Sequence, residues 1–493
     1  MAINEQDRKP GFQGSETSGA EVILYPQGGD PVVVSTTYTE FLGRSNRDED
    51  PSLISANTSK QMGAPSGNWS AVLKAGRKGN LTSFFDRVVD DDWVDISFYR
   101  HRRKWHVMRG LIDNVQRQTV VAGTGATSEV FTLTGRDFGK IFEITPVWFN
   151  PYSTNALGGE AASRVFGVAE IVGNPLTAVK GFLIEFFKLL QGEGQASWRM
   201  PDKVPNVRGP TGEANPDFLS TVVLPEDLWE DLYSTVGINQ NYLMPNGTLW
   251  QLAQEWSDPL FNELFVDTVP GFLIDDVSQG VTEKDTEMRI IFRNRPFPTL
   301  LGTPDFFDSE FPLFTVPRQQ ILSSQISRSG DERFNAYFAS PLLIQEALKI
   351  NGVDALLPLW DLEDVQKHGL RRFDVSTKYA SADADDLVLS EAMRATVRDW
   401  YCMNPYLYNG TFNLRAGRPD IHIGSRIRVP GSQSADYDET YYVESVAHAW
   451  NFGPGLRTDL GVTRGWKGSD DSYLEALNTM TSRYAIGQKQ PSA

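Results

Sequence analysis

Apolar and polar residues alternate in several short runs along the first third of the chain. The run EVILYPQGGDPVVVSTTY predicts two short strands on either side of a Gly-Gly-Asp-Pro turn. In WVDISFYR, from Trp93 to Arg100, the alternation has the period of two that is typical of a half-buried strand. The runs KWHVMRGLIDNVQRQ and EVFTLTGRD predict two further strands. This close spacing predicts a small antiparallel barrel or sandwich over residues 20–147.

A helical pattern begins after Pro146. In GFLIEFFKLLQG, apolar residues continue nearly all around the predicted helix, and Glu185 and Lys188 are the charged residues in its middle. A helix of this kind is expected to be buried, either in the core of its own chain or against a partner. It lies in residues 148–245, which also contain a polar, Gly/Pro-rich stretch and which we predict to be a helical and loop insertion.

Residues 246–400 mix helix and strand patterns and predict an α+β domain. Thr248 is placed to cap a helix over LWQLAQEW, and Pro259 follows the end of that helix. The runs FNELFVD and EMRIIFRNRPFP predict two strands joined by a long loop. The runs LIQEALKI and DDLVLSEAMRATVRDWYCM predict amphipathic helices.

The strand pattern returns over residues 401–466. It occurs in NGTFNLRAGRPDIHIGSRIRVPG and in the hairpin YYVESVAHAWNFGPGLRTDLGVTRG. Residues 1–19 predict a flexible arm and residues 467–493 a C-terminal tail, whose last residues IGQKQPSA are expected to be disordered. The fold class is therefore α+β and β-rich, with two β regions separated by helical and mixed segments.

Composition narrows the range of functions. The 493 residues suffice for about three or four domains. A net charge of -17 argues against a protein that grips nucleic acid through its phosphates, because such binding needs clustered Lys and Arg. The single cysteine, Cys402, excludes an intrachain disulfide and a thiolate zinc cage. The N-terminus lacks the apolar core of a signal peptide, and no run of 18 apolar residues predicts a membrane span.

Candidate catalytic and metal-binding groups do not assemble into a recognisable site. His101 and His106 would lie on opposite faces of an extended chain, which prevents them from holding one metal. The run Asp90-Asp91-Asp92 lacks the glycine and the distal glutamate of a calcium loop and predicts a solvated turn. His448 has Glu444 nearby but no nucleophile in an elbow, which favours a packed or interfacial histidine. We predict no catalytic residue, no metal and no cofactor.

The two β regions resemble each other at their ends. The first closes with MRGLIDNVQ, a Gly-rich turn and VFTLTGRD; the second closes with YYVESVAHAW, a Gly/Pro turn and TDLGVTRG. Both therefore end in a long alternating strand followed by a cluster of Thr, Gly and Arg. Either a duplication or chance could produce this echo, since hairpins are common.

The order of these segments resembles a family of phage proteins. MRGLIDNVQ with VFTLTGRDFGKIFE, FNELFVD with EMRIIFRNRPFP, QKHGLRRF, and DIHIGSRIRV with YYVESVAHAW and TDLGVTRG are together similar to the baseplate hub, or late-control-D-like, proteins of phage tails and related contractile injection machines. The resemblance spans about residues 20–465, and residues 152–243 match least. It implies two tube-like antiparallel β-barrels per chain, one over 20–147 and one over 401–466.

The resemblance also implies an assembly. Three chains with two barrels each would form a pseudo-sixfold ring that joins the hexameric tail tube to the trimeric central spike. The implied partners are the chain itself as a homotrimer, the tube or tube-initiator protein, the spike, the end of the tape-measure protein and neighbouring baseplate proteins. DNA would be only passing cargo, and no membrane insertion is expected. The protein would be made in the host cytoplasm and reside in the tail baseplate of the virion.

Eight residues are candidates for the ring interface or the lumen of such a ring, with ordinary barrel packing as the alternative for each. They are Arg109, Arg136, Arg426, Arg428, Tyr442, Glu444, His448 and Trp450. On the strand YYVESVAHAW, the small residues Val443, Ser445, Ala447 and Ala449 would form a narrow face suited to close packing. A lumen would need few exposed cations, because cations would hold the phosphates of exiting DNA.

Other functions stay open at this point. The chain could be the distal hub of a non-contractile tail or of a secretion-type puncturing device, whose barrels would look alike. It could instead be a tail-associated cell-wall hydrolase with a carboxylate pair in the insertion, or a carbohydrate-binding module that stacks sugars on its aromatic residues.

Overall fold

The structure is a computed structural model that describes residues 18–26, 31–35, 52–74, 87–100, 103–121, 127–148, 179, 183, 222–223, 236–238, 246–257, 259–276, 280–284, 286–295, 311–341, 359–377, 379–381, 386–431 and 438–486. The predicted helix over 343–350 lies outside these residues, and so do residues 1–17 of the predicted arm and residues 487–493 of the predicted tail. Of the predicted helix over 181–192 only Leu183 is described, and its side chain is buried in the largest core.

Strands dominate the described residues. In the N-terminal part they are β1 Ser18–Tyr25, β2 Val32–Ser35, β3 Ser52–Gln61, β4 Asn68–Lys74, β5 Trp93–Arg100, β6 Arg103–Val121, β7 Thr127–Asp137 and β8 Pro146–Trp148. In the middle part they are β9 Val222–Val223, β10 Val236–Ile238, β11 Asn246–Thr248, β12 Asn262–Val269, β13 Gly271–Asp276, β14 Gly280–Lys284, β15 Glu287–Asn294, β16 Leu313–Thr315, β17 Ile321–Ser327, β18 Ala336–Pro341, β19 Leu359–Trp360, β20 Arg372–Thr377 and β21 Tyr379–Ser381. In the C-terminal part they are β22 Tyr408–Leu414, β23 Arg426–Val429, β24 Glu439–Asn451, β25 Gly455–Lys467 and β26 Ala485–Ile486.

Helices are short and few among the described residues. The α-helices are α1 Lys140–Ile144, α2 Leu249–Trp256, α3 Leu362–His368, α4 Asp386–Tyr401 and α5 Asp470–Thr481. Single 3-10 turns cover Arg318–Gln320 and Asn404–Tyr406. The predicted β-rich α+β class is thus confirmed.

Strands β1 to β7 form the first β module. Within the module each strand pairs with two others, in the order β6-β5-β1-β2-β3-β4-β7, and β7 pairs back to β6, so the sheet closes on itself. All of these pairs are antiparallel except one parallel bridge between Ser35 and Ser52. Closure leaves no free edge around the apolar interior, as expected for a small barrel. The predicted antiparallel barrel is confirmed here.

Strand β5 is more deeply buried than the half-buried strand that its sequence predicts. Its first six residues are all buried, including Asp95 and Ser97. The apolar residues Val94 and Ile96 face the interior of the first β module, while Trp93 belongs to the neighbouring core. The strand therefore has a hydrophobic core on each side, and its polar residues are buried with partners of their own.

Strands β16, β17 and β22 to β25 form the second β module, in the order β16-β23-β24-β25-β22-β17. They curl around a separate core that includes Phe412, Ile427, Val443 and Leu460. Among the residues that the structure describes, no bridge joins β16 to β17, which are the two ends of this sheet.

A third, mixed core lies beside both modules. It contains α2, β12, β15 and the end of α4, packed against one face of β1 and β5. Thr248 caps α2 as predicted: its hydroxyl accepts from the Gln251 N–H, and the Gln251 side chain accepts from the Thr248 N–H, a capping box. The predicted helix over 385–403 is also confirmed, as α4 over Asp386–Tyr401.

Two expectations about the segments around this core were wrong. The residues between β12 and β15 form the hairpin β13-β14 instead of a long loop, and β13 adds to the first β module by pairing with the start of β6. The region assigned to a C-terminal tail contains α5, which begins at the cap Ser469, and β26, which pairs with β19. The sequence of α5 is mostly polar, but its residue Leu477 packs against Cys402 and Met403.

The two β modules share one topology. In the first, strands β3, β4, β5, β6 and β7 lie in the order β3-β4-β7-β6-β5; in the second, β17, β22, β23, β24 and β25 lie in the order β17-β22-β25-β24-β23. The chain order and the antiparallel pairing of the five strands are the same in both. The echo between the two hairpins in the sequence thus corresponds to a repeated arrangement of five strands.

Two β-bulges align the repeats residue by residue. In β6 the bulge lies between Ile112 and Asn114, and in β24 the matching bulge lies between Val443 and Ser445. In β3 a bulge lies between Leu53 and Ser55, and in β17 the matching one lies between Ile321 and Ser323. A bulge inserts one residue into one strand and resets which face each later side chain occupies. Matching bulges therefore fix the same inward and outward pattern in both modules.

Candidate assembly surface

Strands β3 and β24 join the two modules edge to edge. They form an antiparallel ladder of seven residue pairs, from Gln61 opposite Ser445 to Ser55 opposite Asn451. The ladder continues at both ends, where the Phe452 N–H donates to the Ile54 carbonyl at 3.0 Å and the Met62 N–H donates to the Glu444 carbonyl at 2.7 Å. The two modules are thus parts of one continuous sheet.

Apolar packing strengthens this junction. Trp450 lies on β24 of the second β module, yet its ring is buried in the core of the first, together with Leu456. The indole N–H of Trp450 donates to the Ser18 carbonyl at 3.3 Å, and the Leu456 N–H donates to the Ser18 hydroxyl at 2.9 Å. Because the core is shared, the relative position of the modules is set by packing as well as by the ladder.

A buried charge cluster links the modules through β12. The Lys60 ammonium lies 3.3 Å from Asp137 and 3.4 Å from Asp267, and His422 lies 2.9 Å from Asp267. Burial alone would raise the pKa of Asp267, but the charge of Lys60 and the hydrogen bond from His422 lower it. Burial raises the pKa of Asp137 despite the same lysine. The ionised form is therefore favoured at Asp267, where His422 acts together with Lys60, and disfavoured at Asp137, where burial outweighs the lysine.

A second buried cluster fastens β15 to the second β module. The Arg293 guanidinium donates to Glu263 at 3.1 Å, to the Gly424 carbonyl at 2.9 Å and to the Tyr442 hydroxyl at 2.9 Å, and it stacks on the Phe311 ring at 3.9 Å. Gly424 has φ +73, and a Cβ there would lie 2.6 Å from the guanidinium. A glycine is needed at this position because of its positive φ and because a Cβ would come too close to the guanidinium.

The sheet has one continuous polar face across eight strands, in the order β6-β7-β4-β3-β24-β25-β22-β17. The register and the burial pattern place mostly uncharged side chains there, namely Asn114, Gln116, Gln118, Thr132, Thr134, Asn68, Ser70, Asn57, Ser59, Gln61, Ser445, Ala447, Thr411, Asn413, Ser323, Gln325 and Ser327. Charged residues on the same face are Lys74, Arg136, Arg457 and Asp459. A broad cleft lined by Ser59, Gln61, Ser323, Asn413 and Ser445 opens onto this face across the junction.

The bulge at Glu444 divides the narrow face that the sequence predicts. Val443 precedes the bulge and points into the core of the second β module, where it is fully buried. Ser445 and Ala447 follow the bulge and lie on the polar face. A strict period of two could not reveal this change of side, because the bulge adds one residue to the strand.

Five of the eight candidate interface or lumen residues are buried inside the protomer. Arg109 pairs with Asp95, which also accepts from the Tyr25 hydroxyl; Arg426 donates to the Phe311 carbonyl at 3.2 Å; and Tyr442 belongs to the Arg293 cluster. His448 contacts the Thr458 hydroxyl at 2.8 Å, and Trp450 lies in the shared core. These five side chains hold the protomer together, because each of them faces another layer of the same chain instead of solvent.

The other three candidates keep accessible surface. The Arg136 side chain is 25% exposed and pairs with Asp113 and Glu143, and that of Arg428 is 45% exposed and lies 4.0 Å from the Asp438 carboxylate. Glu444 is partly buried and accepts from the Thr463 hydroxyl at 2.9 Å. These three can reach another molecule without unfolding the chain.

The histidines and aspartates that were considered for catalysis or metal binding do not form a catalytic or metal-binding group among the described residues. His101 is outside the described residues, and His106 on β6 is hydrogen-bonded to the Ser97 hydroxyl at 2.9 Å. In the predicted solvated turn, Asp92 is buried and accepts from the Val89 N–H at 2.9 Å, whereas Asp90 is exposed. Across the described part of the chain, no group of three or more His, Cys, Asp or Glu residues is arranged to hold a metal ion. No helix there is both long and apolar enough to cross a membrane.

Comparisons with known proteins add a fold-level likeness. No protein-family model and no curated protein matches the sequence. The structure is similar to a tail protein from Neisseria meningitidis MC58, with 12% identity, a TM-score of 0.48 and coverage of 90% of this chain and 96% of that one. It is similar to the 43 kDa tail protein of prophage MuSo2 from Shewanella oneidensis, with 10% identity, a TM-score of 0.45 and coverage of 90% and 98%.

A third similar structure comes from a secretion system. The E. coli c3393 protein, a type VI secretion component with structural similarity to the T4 tail proteins gp27 and gp5, has 7% identity, a TM-score of 0.38 and coverage of 86% of this chain and 78% of that one. The three similar structures are thus two tail proteins and a component of a type VI secretion system.

Proposed function

We propose that this protein is the structural hub of a phage tail baseplate, a homotrimeric ring that joins the hexameric tail tube to the trimeric central spike. The observation that carries the proposal is the repeat within the chain: two modules of one topology, set side by side in one sheet by the β3–β24 ladder. The similar tail and secretion structures agree in class with this function.

The repeat explains how a trimer could meet a hexamer. Two equivalent modules in each of three chains present six similar units around a ring, while the rest of each chain occurs only three times. One face of the ring can then match the six subunits of a tube or tube-initiator protein. The other face, built from the parts that are not repeated, can match a trimeric spike.

The polar face suits the lining of a channel. Its side chains are mainly Asn, Ser, Gln and Thr, and each module contributes few cations to it. Duplex DNA binds proteins largely through phosphate contacts with Lys and Arg, so a surface of this kind lets DNA pass as cargo without holding it. The net charge of -17 acts in the same direction.

A hub functions through its interfaces, and we therefore propose a non-enzymatic role. Arg428, Arg136 and Glu444 are candidates for contact with the tube, the spike, the end of the tape-measure protein or neighbouring baseplate proteins, because their side chains keep accessible surface. The assembled protein would reside in the tail baseplate of the virion.

Native mass measurement of the purified full chain, with electron microscopy along the ring axis, tests the proposal. The expected particle has three times the 55.1 kDa mass of the chain and six similar lobes around an open centre. A chain that is a single copy both in solution and in purified tails would overturn the hub function.

A further inference from the structure

Two strand edges of this chain have no partner among the described residues, although their counterparts in the repeat are paired with each other. Strand β17 pairs with β22 on one side only, and most of its residues are exposed. Strand β6 pairs with β5 as far as Leu111 and with β7 as far as Val121, so beyond Asp113 its second edge is free of described strands. The counterparts of these edges are β3 and the end of β24, which form the junction within the chain.

We infer that β17 of one chain pairs with the outer half of β6 in a second copy of the same chain, in the way that β3 pairs with β24 within a chain. The inference rests on the proposed ring, and it names the strands that close it. The occupant of each edge is a copy of this chain because the two edges that meet within the chain are their structural equivalents.

The matching bulges give the register of this contact. Residue 443 of β24 corresponds to 112 of β6, and residue 53 of β3 corresponds to 321 of β17. Within the chain, Asn57 lies opposite Ala449. The corresponding residues are Gln325 and Gln118, which would lie opposite each other across the two chains, with Ser324 opposite Thr119 and Ile326 opposite Arg117.

The hydrogen bonds at the junction also show which pairs come closest. The Phe452 N–H donates to Ile54, and the Met62 N–H donates to Glu444, so the pairs between them alternate and Asn57 with Ala449 is a non-hydrogen-bonded pair. Opposite residues of such pairs have Cα atoms about 4.5 Å apart, which is within the range that a disulfide spans. Gln325 and Gln118 therefore occupy a position suited to crosslinking.

The chemistry of β17 is suited to pairing with another strand. Its sequence ILSSQIS contains no charged residue and no proline, which are the usual protections of an exposed edge, and Leu322 at its bulge is 55% exposed. On β6 the cation Arg117 is already paired with Glu129. Ser324 opposite Thr119 and Gln325 opposite Gln118 are polar pairs that can hydrogen-bond across strands. Three chains joined in this way, with eight strands each, would close the polar face into a complete barrel.

Cysteine crosslinking of the full chain tests the inference. In the double variant Gln118→Cys with Gln325→Cys, mild oxidation should produce covalent trimers that reductant returns to single chains. The native Cys402 is buried, and burial raises the pKa of its thiol to about 12, so it can be left in place. Asn57→Cys with Ala449→Cys is the matched control, since its disulfide should form within one chain.

The outcomes separate the inference from the proposed function. The variant Gln118→Cys with Gln325→Cys could be a trimer by mass and yet form no crosslink, while the control pair oxidises. That result would overturn the strand pairing but leave the proposed trimer standing. Equal crosslinking by Gln116→Cys with Gln325→Cys would overturn the register. A protein that is monomeric in every variant, both in solution and in purified tails, would overturn the proposed ring itself.

A proline variant gives a second readout. In the inferred register the Ser324 N–H points to the neighbouring chain, as that of Ala56 points to β24, because the hydrogen-bonded and non-hydrogen-bonded pairs of a ladder alternate. Ser324→Pro should therefore leave the circular dichroism spectrum of the protomer unchanged while it abolishes the trimer. A Ser324→Pro chain that remains trimeric would overturn the inference, and Ser324→Ala should keep the trimer.

Discussion

His448 is a histidine whose environment favours the neutral form. It is 3% exposed, lies beside the Phe98 ring and is hydrogen-bonded to the Thr458 hydroxyl. Burial lowers its pKa to about 4; Asp420 acts against this shift and Lys60 adds to it. At the residue scale, many of the charged and polar groups of this protein lie inside it, where they connect layers instead of marking a reactive centre.

The pKa of His448 gives a pH prediction. In the unfolded chain a histidine has a pKa of about 6.5, so the unfolded state takes up a proton before the folded one as the pH falls. The stability that this group contributes is complete above about pH 6.5 and is lost as the pH falls from there towards 4. Urea unfolding of the wild type and of His448→Gln at a series of pH values measures the difference.

The variant should lose part of this pH dependence. We expect the free energy of unfolding of wild type relative to His448→Gln to fall by about 1–3 kcal/mol between pH 7 and pH 4.5. Buried carboxylates such as Asp267 titrate in both proteins and cancel in the comparison. Parallel curves for the two proteins across this range would contradict the prediction.

At the scale of elements, the junction between the modules depends on a hairpin that belongs to one and packs in the other. Trp450 near the end of β24 is 4% exposed in the core of the first β module, whereas Phe452 in the adjoining turn is 72% exposed. The two aromatic residues lie two positions apart, so they form a matched pair for measuring what the shared core contributes.

Truncating Trp450 should weaken the junction strongly. Trp450→Ala removes a buried ring and its hydrogen bond to Ser18, and we expect a loss of about 3–5 kcal/mol in the free energy of unfolding. Phe452→Ala should change it by less than about 0.5 kcal/mol, because that ring is already in water. Equal denaturant midpoints for the two variants would show that the shared core does not hold the modules together.

Prediction from sequence was most successful for single helices, strands and hairpins. The capped helix α2, the long strand β6 and the C-terminal hairpin follow from local patterns, because caps, turns and alternation act over a few residues. The hairpin β13-β14 and the helix α5 were missed, since the strand β6 that pairs with β13 and the residues that pack against α5 are far away in the chain. Of the candidate surface residues, Arg109 and Tyr442 lie in the interior, because alternation does not tell whether the second face meets solvent or another layer.

At the scale of the whole molecule, the polar face is a property of the eight strands together. Ser59 and Thr411 lie on this face in different modules, and both are exposed. If the face lines a channel for DNA, adding cations to it should slow the passage of DNA, because each phosphate contact strengthens binding in a salt-dependent way.

The double variant Ser59→Lys with Thr411→Lys tests this property. Purified rings should retain duplex DNA at low salt and release it as the salt is raised, and phage assembled with the variant should eject DNA more slowly. Ser59→Gln with Thr411→Gln is the matched control for size without charge. Ejection at the wild-type rate by assembled lysine-variant phage would contradict the assignment of this face to the channel.

The sequence by itself determined the β-rich class, the two β regions, the main caps and turns, and an echo between two hairpins, because these depend on residues close together in the chain. Only the tertiary structure decided that five strands repeat in one topology, that β3 meets β24, and which side chains face the polar side. Those features depend on pairing between residues hundreds of positions apart and on two bulges that shift the register by one residue. A local pattern does not contain that information, because an edge is defined only by the strand that lies beside it.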